Sequence, residues 1–549
     1  MSVPAVTIGR FSATLHDDGS ARPGGAGLTG PLRCVVDGGL ALALREVRLP
    51  EGRWCVRRLR LSLPLDLDRP GPNGGRVWSV AVAAAIERAV REGGGEVVHY
   101  RHDVDLLADL VAGVAAGRTV RQWAWQQAGA LRPGDPAPGV EPRAAVLAAL
   151  GRAPQHAAAA LLRATPVCGL PALDRLFGEQ GWQAVAGLAA VASWCGPAPA
   201  GPDHDGPVPA PARALARTLL AGSVLAGLAR SARLRPGPAT LAAWAVLAAA
   251  EADPGSLHRR PHPDLPRALA QELGAVLGQA TPPGRDRPMA PPVPTTPAVP
   301  APAVPTPVAA VPEPAPDSAP TVEATRPHPP APDEEPPATP SPSDPGPDPD
   351  PGPDPGPGPG PGPDPATPHR PPQPSVAAPD APGGACTAWA GLLFLLAAAP
   401  DAGLPQRALD HPALTARPLR WVLHRLGREL LPEAAPDDAA LLALAGLGPA
   451  RAAVLLAAPP PTEPERTAVR ALATAWASAT CARLGDRELE DATAVRAVAR
   501  RSGEVCAEPG WIEVRLSVAD TDLTVRRAGL DLDPGWVPWL GAVVRYVYV

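Results

Sequence analysis

Apolar positions along this 549-residue chain recur with two different periods, and a long proline-rich stretch separates the regions where they do so. From Trp54 to Asp68 the period is two: Leu59, Leu61, Leu63, Leu65 and Leu67 alternate with Arg58, Arg60, Ser62, Pro64, Asp66 and Asp68. Such alternation predicts a half-buried strand, ending or becoming an edge at Pro64. Val77 to Arg91 then reads as a helix, with Val82, Ile86, Ala89 and Val90 on one side, ended by Gly93 to Gly95. Val97 to Arg101 is a second short strand, so the opening is a small α/β unit, with a further short strand near Leu32 to Val36.

From Asp103 onward the period becomes helical. Leu106, Leu107, Leu110 and Val114 share a face. Further helices are expected over Arg121 to Leu131, Arg143 to Leu150, Gln155 to Arg163, Leu170 to Gly178, Trp182 to Trp194, Ala212 to Arg233 and Thr240 to Ala252. Gly and Pro breaks between many of them, and their high Ala content, predict a stacked helical array rather than a large sheet. Nothing repeats at a fixed period.

Thr281 to Gly384 interrupts all of this. It holds 40 of the chain's 80 prolines, with 13 Asp/Glu against 4 Arg. Proline fixes φ and removes the amide donor, so the stretch is read as an extended, disordered spacer. Beyond it, Thr387 to Ala399 is apolar nearly all round and predicts a helix buried on most of its surface. Pro418 to Leu430 is amphipathic, with Arg420, Arg425 and Arg428 off its apolar side. Asp437 and Asp438 can cap a helix over Ala439 to Leu447, and Pro464 to Arg483 is a longer helix. The period returns to two at Trp511 to Val518, and the closing Val543 to Val549 is a strand expected beside it. The fold class expected is mostly α with small β elements (α+β). Its domains are 1–280, an α/β start followed by a helical array, 281–384, the spacer, and 385–549, a helical module closing on a small antiparallel sheet.

Charge and cysteine content add exclusions. The net charge of −5 is small, and all 50 basic residues are Arg, which reads as codon bias rather than as nucleic-acid recognition. The seven cysteines (Cys34, Cys55, Cys168, Cys195, Cys386, Cys481, Cys506) are scattered without a CxxC pair, which argues against a disulfide framework or a zinc site. The first residues lack a signal-peptide layout, and no apolar run reaches the roughly 20 residues a membrane span needs. The expectation is a soluble, cytoplasmic chain.

Candidate chemistry is sparse. The chain has no phosphate-binding GxxxxGK[ST] loop, GxGxxG turn, GxSxG elbow or HExxH pair. His99 and His102 with Asp103 and Asp105 form the one His/carboxylate cluster, but residues on opposite strand faces chelate poorly. A solvated strand end and a helix cap account for them better. Asp531 and Asp533 in DLDPG are turn formers first. Trp123 and Trp125, two apart on a helix, face core and neighbour rather than a stacked base. No catalytic, cofactor-binding or metal site is expected, and no enzyme.

The closing stretch RRAGLDLDPGWVPWLGAVVRYVY, Arg526 to Tyr548, resembles the end of tape-measure-type proteins from extracellular contractile injection systems, which are phage-tail-like particles. The shared features are the aspartate/leucine stretch with Asp531 and Asp533, Trp536, the Pro538–Trp539 pair, and a short Val/aromatic strand containing Tyr546. AGLLFLLAAAPDAGLP (Ala390 to Pro405), PLRWVLHRLG and DDAALLALAGL are similar to the same block. CVRRLRLSLPLDL, AAIERAV and HYRHDVDLLADLVAGVAAGRTVRQWAWQQAGAL are similar to the family's opening unit. The resemblance covers about half the chain. It implies a non-enzymatic structural or assembly protein whose partners are tube, sheath or baseplate components of the particle. A ruler role would require the spacer to be pulled straight, to about 320 Å at 3.1 Å per residue. The alternative is a two-module interaction adaptor joined by the spacer.

Overall fold

In a computed structural model the described residues are 39–47, 49–58, 72–92, 96–192, 207–232, 234–258, 264–278, 384–485 and 490–549. The leucine alternation at 59–68, the Gly93–Gly95 stop, the 32–36 strand and the spacer at 281–383 lie outside them. Met1–Pro283 and Asp380–Val549 form one compact unit; the second unit, Gly284–Pro379, is not among the described residues.

The N-terminal part begins with α1 (Leu40–Glu46), β1 (Arg53–Val56), α2 (Pro72–Glu92) and β2 (Val97–Tyr100), in which β1 and β2 pair antiparallel with Trp54 opposite His99. Among the described residues nine α-helices follow: α3 (Asp103–Ala115), α4 (Gln122–Gln127), α5 (Pro142–Arg152), α6 (Ala157–Cys168), α7 (Leu170–Ala192), α8 (Ala210–Gly222), α9 (Val224–Ala232), α10 (Pro238–Ala252) and α11 (Leu265–Val276). Their apolar faces close one core around Trp125, Phe177, Trp182 and Trp244, the last two meeting edge to face at 5.6 Å. α10 is buried on nearly every side, as its alanine-rich sequence dictates.

Two expected helices differ in detail. The expected helix from Trp182 is described as far as Ala192 and continues from Leu170 as α7, interrupted at Gly178, whose φ of +57° only glycine adopts at little cost. Ala212 to Arg233 is not one helix: α8 and α9 meet at a 77° bend. The bend sits at Ser223, whose hydroxyl and following amides bond to Glu251 instead of continuing the helical ladder. Among the described residues no single helix is long and apolar enough to cross a membrane.

The C-terminal part has β3 (Ala385–Thr387), a buried 3-10 helix over Ala390–Ala398, then α12 (Gln406–Leu409), α13 (Leu419–Leu430), α14 (Ala439–Leu444), α15 (Ala453–Leu456), α16 (Glu463–Leu484), α17 (Asp491–Ala499), β4 (Gly503–Glu508), β5 (Trp511–Leu516), α18 (Leu523–Arg527), β6 (Gly535–Val537) and β7 (Ala542–Tyr548). Asp438 caps α14 through the Ala440 amide, as expected. Thr462 and Glu465 form a capping box at the start of α16. The sheet order is β3-β4-β5-β7-β6.

β7 does lie beside β5, but parallel, with Val514 opposite Tyr546, so the sheet is mixed rather than wholly antiparallel. The connection from β5 to β7 is long enough to hold α18 and the edge strand β6. It therefore crosses over and returns the chain in the same direction, which a tight hairpin could not do. The core of this part is a second closed cluster, running from Ala390 to Tyr546 and sharing no residue with the first. The class is accordingly mostly α with small β sheets, as the periodicities predict.

Candidate functional site: the seam and the closing segment

The closing segment, which carries the family resemblance, is tied into the sheet by its own polar groups. Asp531, 5% exposed, accepts from the Tyr548 hydroxyl (3.1 Å) and from Arg526 (3.2 Å). Asp533 is at the surface and accepts from the Tyr546 amide at 2.6 Å. Tyr546 is buried and donates its hydroxyl to the Leu393 carbonyl of the 3-10 helix at 2.7 Å, with its ring edge-on to Phe394. The carbonyl of Pro538 accepts the Gly541 amide, and Trp539 packs against the C-terminal core. DLDPG is thus a turn, as its residue types predict, and its carboxylates fasten β7.

The chemistry available here is hydrogen bonding. Burial, then the Asp531 charge and hydrogen bond, push the Tyr548 phenol up to about 12, and burial raises Tyr546 well above its ordinary value. Both remain protonated donors at neutral pH.

Trp536 points elsewhere. Its indole N–H donates to the Ala192 carbonyl at the end of α7 (3.2 Å), and its ring lies edge-on to His156, 6.2 Å between centroids. It is one of several contacts along a seam between the N-terminal and C-terminal parts. At one end of the seam Arg163 bridges Asp105 of α3 and Glu508 of β4, 2.8 Å to the latter, and Arg101 reaches the same Glu508 at 3.2 Å. Gly510, in the turn after β4, has φ of +79°, and a Cβ there would lie 2.5 Å from the Ala159 methyl. The backbone approaches that closely only because the residue is glycine. Gly541 repeats the device against Pro254, 2.9 Å from a would-be Cβ.

His102 also belongs to the seam rather than to a solvated strand end. It is 8% exposed, its Nδ1 lies 2.8 Å from Asp105, and its ring packs at 4.5 Å against Trp511 of β5. The burial follows from docking: β5 covers the start of α3. His99 is separate, stacked on Trp54 at 3.9 Å and bonded to the Glu51 carbonyl. The two histidines do not converge. Among the described residues no group of three or more His, Cys, Asp or Glu side chains could hold a metal ion.

Burial opposes ionisation of Asp105, but the His102 hydrogen bond and the charges of Arg163 and Arg101 outweigh it and hold the carboxyl at about 2. The folded value is depressed below the ordinary 3.8, so this carboxylate's contribution is complete above about pH 4 and is lost as pH falls through 2. Asp105→Asn is therefore expected to flatten the acid loss of stability between pH 4 and 2. Circular dichroism titration at fixed denaturant measures it, and an unchanged acid limb would contradict the assignment.

The other end of the seam carries buried charge. Glu251, its side chain 1% exposed, accepts from Ser223 (2.7 Å), from the Val224 and Leu225 amides (2.8 and 3.0 Å), and from Arg451 of the C-terminal part (2.7 Å). Asp253, wholly buried, accepts from Ser256 and from the Leu419 amide that opens α13. Arg420 does not lie off the apolar side of α13 in water, as the helical pattern predicts, but is 8% exposed. Asp253 holds the start of α13 through the Leu419 amide, and Asp253 and Glu251 are among the charges that act on Arg420. Single carboxylates in the alanine-rich AAWAVLAAAEADPG run are the one sequence signal for this cluster. Arg451 and Glu508 offer none, since each is an ordinary surface charge in its own segment. No family model, curated protein or solved structure matches this chain.

Proposed function

We propose that this chain is a non-enzymatic, cytoplasmic assembly protein of a contractile injection system, acting on tube, sheath or baseplate components. The reading rests on the resemblance of the closing segment. It is supported by the work those residues do: Asp531, Asp533 and Tyr546 fasten the last strand, and Trp536 joins the two parts of the chain. These are roles in a scaffold.

Within that reading, assembly is favoured over length measurement by one observation. The chain on both sides of the proline-rich segment, Met1–Pro283 and Asp380–Val549, belongs to one compact unit. A ruler needs its two ends far apart, whereas an assembly factor works with them together. The alternative, a two-module interaction adaptor, is favoured by the two separately closed cores, each able to present its own partner surface.

Electron microscopy of particles from cells whose copy of the gene lacks Pro300 to Pro365 separates these. Assembly predicts particles of unchanged length, and tubes shortened in step with the deletion would restore the ruler. Absence of contractile particles with the intact gene would leave the adaptor.

A further inference from the structure

Arg420 differs from the other charged groups at the seam. Its Nε is buried without a hydrogen-bond partner, and its nearest charges are Arg451, Asp253 and Glu251. The guanidinium has five donors, and withdrawing it from water without acceptors is unfavourable. Burial, with the Arg451 charge beside it, lowers its pKa to about 10, which still leaves it cationic at neutral pH. The carboxylates that balance it, Asp253 and Glu251, both come from the N-terminal part. Docking therefore brings the balancing charge to Arg420, whose Nε is also flanked by Gly446 of its own part.

The rest of the seam is built to match. Its ion pairs include half-exposed ones, Arg101 with Glu508 and Arg545 with Glu51, of the kind that salt screens. Its aromatic contacts, His102 with Trp511 and His156 with Trp536, each place a polar ring against an apolar one. Neither buried apolar cluster crosses it, and its apolar contacts are local ones, Leu419 against Gly255 and Val104 and Ala159 against Gly510. Interfaces of this composition resemble those between domains that move relative to one another.

We infer that the seam is a reversible latch: the N-terminal and C-terminal parts come apart as folded bodies, and Arg420 passes from a buried site into water as they do. The ion pairs Glu251–Arg451 and Arg163–Glu508, together with the more exposed Arg101–Glu508 and Arg545–Glu51, hold the latch shut, the exposed pairs being the ones that salt loosens. A chain of this kind changes its reach without unfolding, because the parts stay covalently joined through residues 281–384.

The test uses the full-length chain with a site-specific protease sequence inserted after Pro340 and cut once the protein has folded. Gel filtration then reads whether the two fragments stay together, and circular dichroism of each fraction reads whether they remain helical. At about 0.1 M salt the fragments are expected to co-elute. At about 1 M, where the screening length falls from ~10 Å to ~3 Å, they should separate while still folded. Arg451→Glu, at the end of the short 3-10 helix Pro449–Arg451 of the C-terminal part, should weaken association about tenfold or more at low salt. Arg451→Gln removes the charge without adding repulsion and should weaken it less.

Salt-independent association would mean a permanent apolar interface and overturn the latch. So would fragments that unfold on parting, or fragments that never co-elute. None of these readouts depends on contractile particles, so the latch and the assembly role fail separately.

Discussion

Replacing Glu251 with alanine is expected to destabilise the N-terminal helical array by about 3–5 kcal/mol, the usual cost of removing one partner from a buried ion pair. The carboxylate serves two elements at once. It caps α9 by accepting from Ser223 and from the Val224 and Leu225 amides, and it neutralises Arg451 across the seam. Loss of a cap alone accounts for about 1 kcal/mol. The larger share comes from stranding Arg451 beside Arg420, two cations then facing Asp253 alone. Urea unfolding followed by tryptophan fluorescence measures the change. A loss below about 1 kcal/mol would mean that water already satisfies Arg451 and the α9 amides, and that the buried cluster does not form.

Trp476→Ala is the second large effect, and it falls on the other core. Trp476 is completely buried on α16 and donates its indole N–H to the Leu395 carbonyl of the 3-10 helix at 2.8 Å. Truncation leaves a cavity under an element with no exposed face and orphans that carbonyl. The expected cost is about 3–5 kcal/mol. Because the two apolar clusters share no residue, the damage should stay local. Hydrogen exchange is expected to show protection lost from Leu392 to Leu396 and along α16, with α3, α6 and α10 unchanged. Loss of protection in both parts would mean that the cores are energetically one.

Much of the fold was legible in the sequence because hydrophobic period is a local property. The alternation at Trp511 to Val518, the uniform apolarity at Thr387 to Ala399 and the Asp438 cap each specify their element without reference to the rest of the chain. What was not legible is relational. Alternation places Val514 and Tyr546 in strands but is silent on whether the strands run the same way; the long crossover decides that. The α8–α9 bend is invisible because Ala and Leu continue through it, and the side chain that breaks the ladder, Glu251, is 28 residues from Ser223.

The same holds for the site. Asp531, Asp533 and Tyr546 carry the resemblance and read as turn and strand residues; in the fold the two carboxylates accept from the Tyr548 hydroxyl and the Tyr546 amide. Arg420 reads as solvent-facing because a helical wheel assigns a charged position to water, whereas in the fold it is buried beside Arg451, Asp253 and Glu251. Glu508 and Arg163, 345 positions apart by their numbering, meet through docking, which no window along the sequence contains.

The claim on which the account depends is that the two flanks of the proline-rich segment lie in one body. Electron–electron resonance between spin-labelled residues introduced at the exposed positions Val167 and Val454 tests it directly at low salt. A single narrow distance is expected, identical in the full chain and in a chain lacking Pro300 to Pro365. A broad distribution that contracts with the deletion would contradict it, because the segment rather than the seam would then set the separation.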